Sequence, residues 1–106
     1  MRDIPEKDWK KCRAMKDELL NIACEKILKE LETVIKQKNK SHKNYLKIWM
    51  ILNEEDDKLG KMFDDIKRSN AVYKLAAWKR HRLVTDEELA QFSDETQEII
   101  RFLNRN

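Results

Sequence analysis

The sequence predicts an all-α fold: an elongated helical bundle built on a long antiparallel helix hairpin, with short C-terminal helices packed back on it. Three observations carry this expectation. The 106 residues include one Gly and one Pro, whereas a β-rich chain needs many such residues in its turns. Charged and hydrophobic residues each make up 41% of the chain, the mixture of long helices with an apolar stripe and a solvated face. Apolar residues recur at steps of three and four, and no strand pattern competes with them.

The first helix is predicted from about Pro5 to about Lys38. Asp3 and Glu6 form an Asp-x-x-Glu start, and Pro5 suits a first helical turn. Trp9, Cys12, Met15, Leu19 or Leu20, Ala23 or Cys24, Ile27, Leu31, and Val34 or Ile35 keep nearly a heptad, the spacing of a coiled coil. At 1.5 Å per residue this helix is about 50 Å long. That is far more than the width of a sphere of this size.

The polar segment from Lys38 to Asn44 breaks the helix, with Ser41 as the N-cap of the next. The second helix carries the series Tyr45, Trp49, Leu52, Asp56, Leu59, Phe63 and Ile66, in which Asp56 is the polar member. Gly60 within it costs about 1 kcal/mol against Ala. The two helices have similar lengths, which suits a hairpin. Ser69-Asn70 is read as a break or kink, with Ser69 capping a third helix that holds Val72, Tyr73, Leu75, Ala76 and Trp78. A single helix running on to about Arg82 is the alternative.

Thr85-Asp86-Glu87-Glu88 reads as a capping box, with Val84 and Leu89 at the spacing of a hydrophobic staple. Ser93-Asp94-Glu95 then starts a last helix holding Ile99, Ile100, Phe102 and Leu103. There is no internal repeat and no linker long enough to divide the chain, so residues 1–106 are read as one helical domain.

Several function classes find no support. No apolar run reaches the ~18–20 residues of a membrane span, and residues 1–6 lack the apolar core of a signal peptide. A cytoplasmic protein with no membrane partner is expected. Cys12 and Cys24 fall about 18 Å apart on one predicted helix, too far to pair with each other. Neither His42 nor His81 has a metal-ligating residue at helical spacing, and there is no Cys-x-x-Cys, Gly-rich phosphate loop or nucleophile elbow. No catalytic residue, resident metal or cofactor is assigned, and a non-enzymatic role is expected.

The net charge is only +3, but it comes in blocks. Residues 1–50 hold 13 basic and 8 acidic groups, residues 51–66 hold 2 and 6, residues 67–83 hold 6 and none, and residues 84–106 hold 2 and 6. Three functional readings follow. The first is a helical protein–protein interaction or self-assembly module, working as a homodimer or with another helical protein. Its self-association stripe is Leu20, Cys24, Ile27, Leu31 and Val34, because the first helix has more apolar stripe than its intrachain neighbours can cover. In this reading the acidic blocks meet basic blocks of a neighbouring helix or subunit and fix its register.

The alternative is a nucleic-acid-binding accessory protein. Lys67, Arg68, Lys74, Lys79, Arg80 and Arg82 would contact phosphates, with Tyr73 and Trp78 interleaved for base stacking, and Lys36, Lys38, Lys40 and Lys43 form a second patch. The third reading is a Mg²⁺-dependent nucleotide hydrolase using Glu54, Asp57 and Asp64, with Asp57 and Asp64 one heptad apart on a helix face. Glu54-x-x-Asp57 resembles half of the carboxylate signature of the all-α nucleotide pyrophosphohydrolases. The other half, a Glu-x-x-Glu on the preceding helix, is missing here.

Overall fold

A computed structural model describes residues 3–105. Its helices are α1 (Glu6–Ile35), α2 (Ser41–Phe63), α3 (Ala71–Arg80), α4 (Asp86–Leu89) and α5 (Asp94–Leu103). Among the described residues 75% are helical and none is in a strand. The all-α expectation is met, and α1 and α2 pack together.

Both ends of α1 differ from expectation. Pro5 takes the N-cap position, and no side chain caps the helix there. Glu6 instead pairs with Arg68 at 3.1 Å, and Arg68 Nε donates to the Ile4 carbonyl at 2.8 Å. The start of the chain is thereby clamped to the segment between α2 and α3. At the other end α1 stops at Ile35, before the predicted Lys38. Asn39 adopts a left-handed conformation (φ 66°) in the turn that follows, one that Asn tolerates better than most residues.

Ser41 is the first residue of α2 rather than its cap. Lys40 holds the N-cap position without a side-chain bond, and Asn44 Nδ2 closes the turn by donating to the Gln37 carbonyl at 2.7 Å.

The break between the second and third helices is present. α2 ends at Phe63, after which Asp64 is extended and Asp65 turns the chain at φ 54°. The N-cap of α3 is Asn70, not Ser69. The Asn70 side chain works backwards: Oδ1 accepts from the Lys67 N–H at 2.8 Å, and Nδ2 donates to the Asp65 carbonyl at 2.9 Å.

Trp78 seats α3 on the end of α2. It is fully buried, its ring stacks on Phe63 with centroids 5.4 Å apart, and Nε1 donates to the Met62 carbonyl at 3.0 Å. The predicted capping box of α4 is complete, with the Glu88 N–H donating to Thr85 Oγ1 and the Thr85 N–H donating to Glu88 Oε1. Val84 and Leu89 on either side of it are both buried in the core.

Ser93 caps α5 as its sequence position suggests. It also meets Asp8 of α1, a buried carboxyl group. Asp8 accepts from the Ser93 N–H at 3.1 Å, from Ser93 Oγ at 2.6 Å and from Thr96 Oγ1 at 2.6 Å. Lys11 adds a bond to the Gln91 carbonyl nearby.

These contacts enclose one continuous core. α1 enters it only as far as Ala23, and α2 is fully buried in it only at Met62 and Phe63. Beyond that end the two long helices extend the molecule, which measures 53 × 28 × 25 Å with a radius of gyration of 16.6 Å. A compact chain of this length would have about 13 Å.

Cys12 lies inside this core with no exposure, and burial pushes its thiol from 9.0 up to about 12. The unfolded chain therefore gives up this proton first. The stabilisation that comes from keeping the thiol neutral is complete below pH 9 and is lost as pH rises through about 12. The thiolate is the reactive form. Cys12 of the folded chain is expected to label at pH 8 only as fast as the core opens, with unfolding restoring full reactivity. Equal labelling rates in the folded and denatured chain would contradict this placement.

Candidate interaction surface

The N-terminal half of α2 is the least satisfied part of the molecule. Seven of the eight residues from Tyr45 to Leu52 are apolar, with Lys47 the exception. A helix apolar on every side is one that neighbours surround. Here only one side is covered. Ile48, Ile51, Glu55 and Leu59 are half-buried and Met62 is buried, at helical steps of three and four. The predicted stripe points elsewhere: Tyr45, Trp49 and Leu52 are 65%, 59% and 46% exposed. This corrects the sequence reading. With apolar residues all round, periodicity fits two rotational registers of α2, and tertiary packing selects the one through Ile48 and Ile51.

Between the two long helices lies an open groove of about 390 Å³. Cys24, Ile27 and Leu28 line it from α1, and Leu52, Asn53, Glu55, Asp56 and Leu59 from α2. Ile35 is one heptad past Leu28, and Tyr45 is one heptad before Leu52, with Trp49 between. Seven residues make nearly two full turns, so these side chains share one side of the helix pair. Leu28 and Ile35 are mostly exposed, as are Tyr45 and Trp49. Scattered exposed apolar residues are normal, but a contiguous group marks an interaction site.

The opposite side of the pair meets the core end of the molecule at one place. Lys26 and Glu30 stand about 200° round α1 from Leu28. They line a smaller cavity with Met62, His81 and Leu83, and Lys26 Nζ donates to the Arg82 carbonyl at 3.1 Å. The core end of the molecule thus reaches that side near Lys26, while Lys26, Glu30 and His81 themselves stay exposed.

The predicted self-association residues divide between these environments. Leu31 and Val34 are buried within the chain, in the stretch of α1 that pairs with α2, while Leu20, Cys24 and Ile27 are half-buried. The residues that the stripe omitted are Leu28, Ile35, Tyr45, Trp49 and Leu52. The available signal for the three on α2 was the all-round apolar run itself.

The basic residues of 67–82 have neighbours inside the chain. Lys67 pairs with Asp65, Arg68 with Glu6 and Lys79 with Asp86. Lys74 Nζ donates to the Lys61 carbonyl, and Arg80 donates to Asn104 Oδ1. Arg82 is exposed. Of the interleaved aromatics Trp78 is buried, and Tyr73 is 47% exposed. Lys36, Lys38, Lys40 and Lys43 are all exposed around the α1–α2 turn, with Lys36 paired to Glu32.

Glu54, Asp57 and Asp64 are exposed. Asp64 leaves the helix in an extended conformation, so it does not share a helical face with Asp57, which pairs with Lys61 at 3.0 Å. Among the described residues no group of three or more His, Cys, Asp or Glu side chains is gathered to hold a metal ion, and no helix is long and apolar enough to cross a membrane. No protein family, curated protein or solved structure matches this chain.

Proposed function

We propose that this protein is a non-enzymatic helical interaction module that self-associates through the open side of an antiparallel α1–α2 hairpin. The apolar run from Tyr45 to Leu52 carries this reading, because α1 covers only its Ile48 side. A two-helix arm with an apolar open face becomes a layered bundle when a second arm packs on it. Trp49 stands in the middle of the open face, and large aromatic residues at the centre of an interface contribute most to its affinity. The basic stretch from Lys67 to Arg82 lends less support to a nucleic-acid surface, since Trp78 is inside the core and cannot stack on a base.

The variant Trp49→Glu separates association from folding. Trp49 is mostly exposed in the single chain, so its loss should leave folding stability within about 0.5 kcal/mol. Losing a central interface aromatic costs about 2 kcal/mol or more, an association about 30-fold weaker. Sedimentation equilibrium of both chains, beside their thermal melts, reads the two effects separately. A Trp49→Glu chain that associates as tightly as the native one overturns this assignment of the face.

A further inference from the structure

We infer that the lysine-rich end of the α1–α2 hairpin docks on an anionic lipid bilayer, with Leu46 and Met50 entering the headgroup layer. This goes beyond the self-association proposed above and uses a different side of α2. It also goes beyond the sequence expectation of no membrane partner, which rested on the lack of a span. No described helix is long and apolar enough to cross a bilayer, but a surface contact needs no span.

Residues 36–53 hold five lysines and no acid. Lys36, Lys38, Lys40, Lys43 and Lys47 are all exposed. Lys36 is paired with Glu32. Glu30, the other acid of α1 near this end, lines the smaller cavity with His81 and Leu83. A cluster of four or more lysines on an amphipathic helix suits an anionic membrane, whose surface potential attracts each of them.

The apolar residues of this end decide which polyanion fits. Leu46 and Met50 are 46% and 55% exposed. At about 100° per residue they stand about 160° from Ile48 in either direction, so they point away from α1, whereas Trp49 stands about 100° from Ile48 on the groove side. A second copy seated over the groove leaves Leu46 and Met50 uncovered. They project from the convex side of the helix, with Lys43 and Lys47 within about 60° of Met50. A nucleic acid would match the lysines but offers no apolar layer to Leu46 and Met50. A bilayer takes both, because its headgroups meet the lysines while the apolar side chains sink to the acyl boundary.

The charge pattern also sets the direction of approach. Residues 54–61 hold four acids and two lysines. Glu54 and Asp57 stand one heptad beyond Lys47 and Met50 on the same outward side, about 10 Å nearer the core. An anionic surface repels this stretch, so the hairpin meets the bilayer end first rather than along its length.

The test is co-sedimentation of the native chain with vesicles of phosphatidylcholine alone and of phosphatidylcholine with phosphatidylserine, beside anisotropy with labelled RNA. Binding only to the serine-containing vesicles, weakened by salt, is the expected result. Replacing Lys43 and Lys47 with Gln should weaken it about five-fold for each lysine removed. The double variant Leu46→Gln, Met50→Gln should weaken it about ten-fold, with a thermal melt like that of the native chain, since both side chains are exposed. No binding to serine-containing vesicles at low salt overturns the inference, and so does vesicle binding that ignores the Leu46 and Met50 changes. RNA binding without vesicle binding assigns the lysines to nucleic acid and equally overturns it. Self-association is read separately from the mass in solution: a monomeric chain that still binds these vesicles loses that reading and keeps this one.

Discussion

Trp78→Ala is expected to destabilise the fold by about 4–5 kcal/mol, measured by urea unfolding. Replacing a buried Trp with Ala costs about 3–5 kcal/mol through lost transfer energy and the cavity left behind. Trp78 has no exposure, and the residues it stacks on and donates to, Phe63 and Met62, belong to another helix, α2. The change also removes the donor to the Met62 carbonyl, an acceptor at the end of α2 where helical partners run out. Against a total stability of about 5–15 kcal/mol, the variant keeps at most a marginal native state. Trp78→Phe keeps most of the volume and the stack on Phe63 but leaves that carbonyl without its partner, so about 1–3 kcal/mol is expected. A Trp78→Ala loss below 2 kcal/mol would mean that α3 is not seated on α2 as described.

Asp8→Ala is expected to cost about 3–4 kcal/mol. Its carboxyl group, 1% exposed, accepts from the Ser93 N–H, the Ser93 hydroxyl and the Thr96 hydroxyl. Truncation leaves these donors without that acceptor, and each buried donor left unmade costs about 1–3 kcal/mol. The hydroxyls can rotate toward other partners, which keeps the total below the simple sum. The effect is local to the joint between α1 and α5. Hydrogen exchange should therefore show the α5 amides losing protection first, with α2 much less affected. Uniform loss across the chain would contradict a role confined to that joint. Asp8→Asn retains one acceptor oxygen and should cost about half as much.

These two residues also mark what was legible in the sequence. The starts of α4 and α5 could be read because capping is local: Thr85 and Glu88, or Ser93 and the turn after it, meet their partners within three residues. The break between α2 and α3 was legible from Ser69-Asn70, although Asn70 rather than Ser69 holds the N-cap position, its side chain bonding back to Lys67 and Asp65 rather than capping the helix. Asp8 gave no signal. Its partners stand 85 and 88 residues further on, and nothing in the spacing of the first helix distinguishes a buried carboxylate from a solvated one.

The open face was half legible. That the long helices carry more apolar surface than their intrachain neighbours cover was clear from composition and length. Which residues form that surface was not. Along α1 the stripe through Leu31 and Val34 is buried in the chain, while Leu28 and Ile35, one position along from Ile27 and Val34, face outward. Along α2 the run of apolar residues erased the phase that periodicity relies on. Rotational register is a tertiary property here. It is set by the core end, where Trp78, Phe63 and Met62 fix how α2 leaves the core.

The most direct test of the central claim is the mass of the native chain in solution as a function of concentration. Sedimentation equilibrium should show the mass rising from 12.8 kDa toward twice that value, with the midpoint displaced to higher concentration in Trp49→Glu. A native chain that holds its monomer mass up to submillimolar concentration would contradict the assignment of the Trp49 face as a self-association surface.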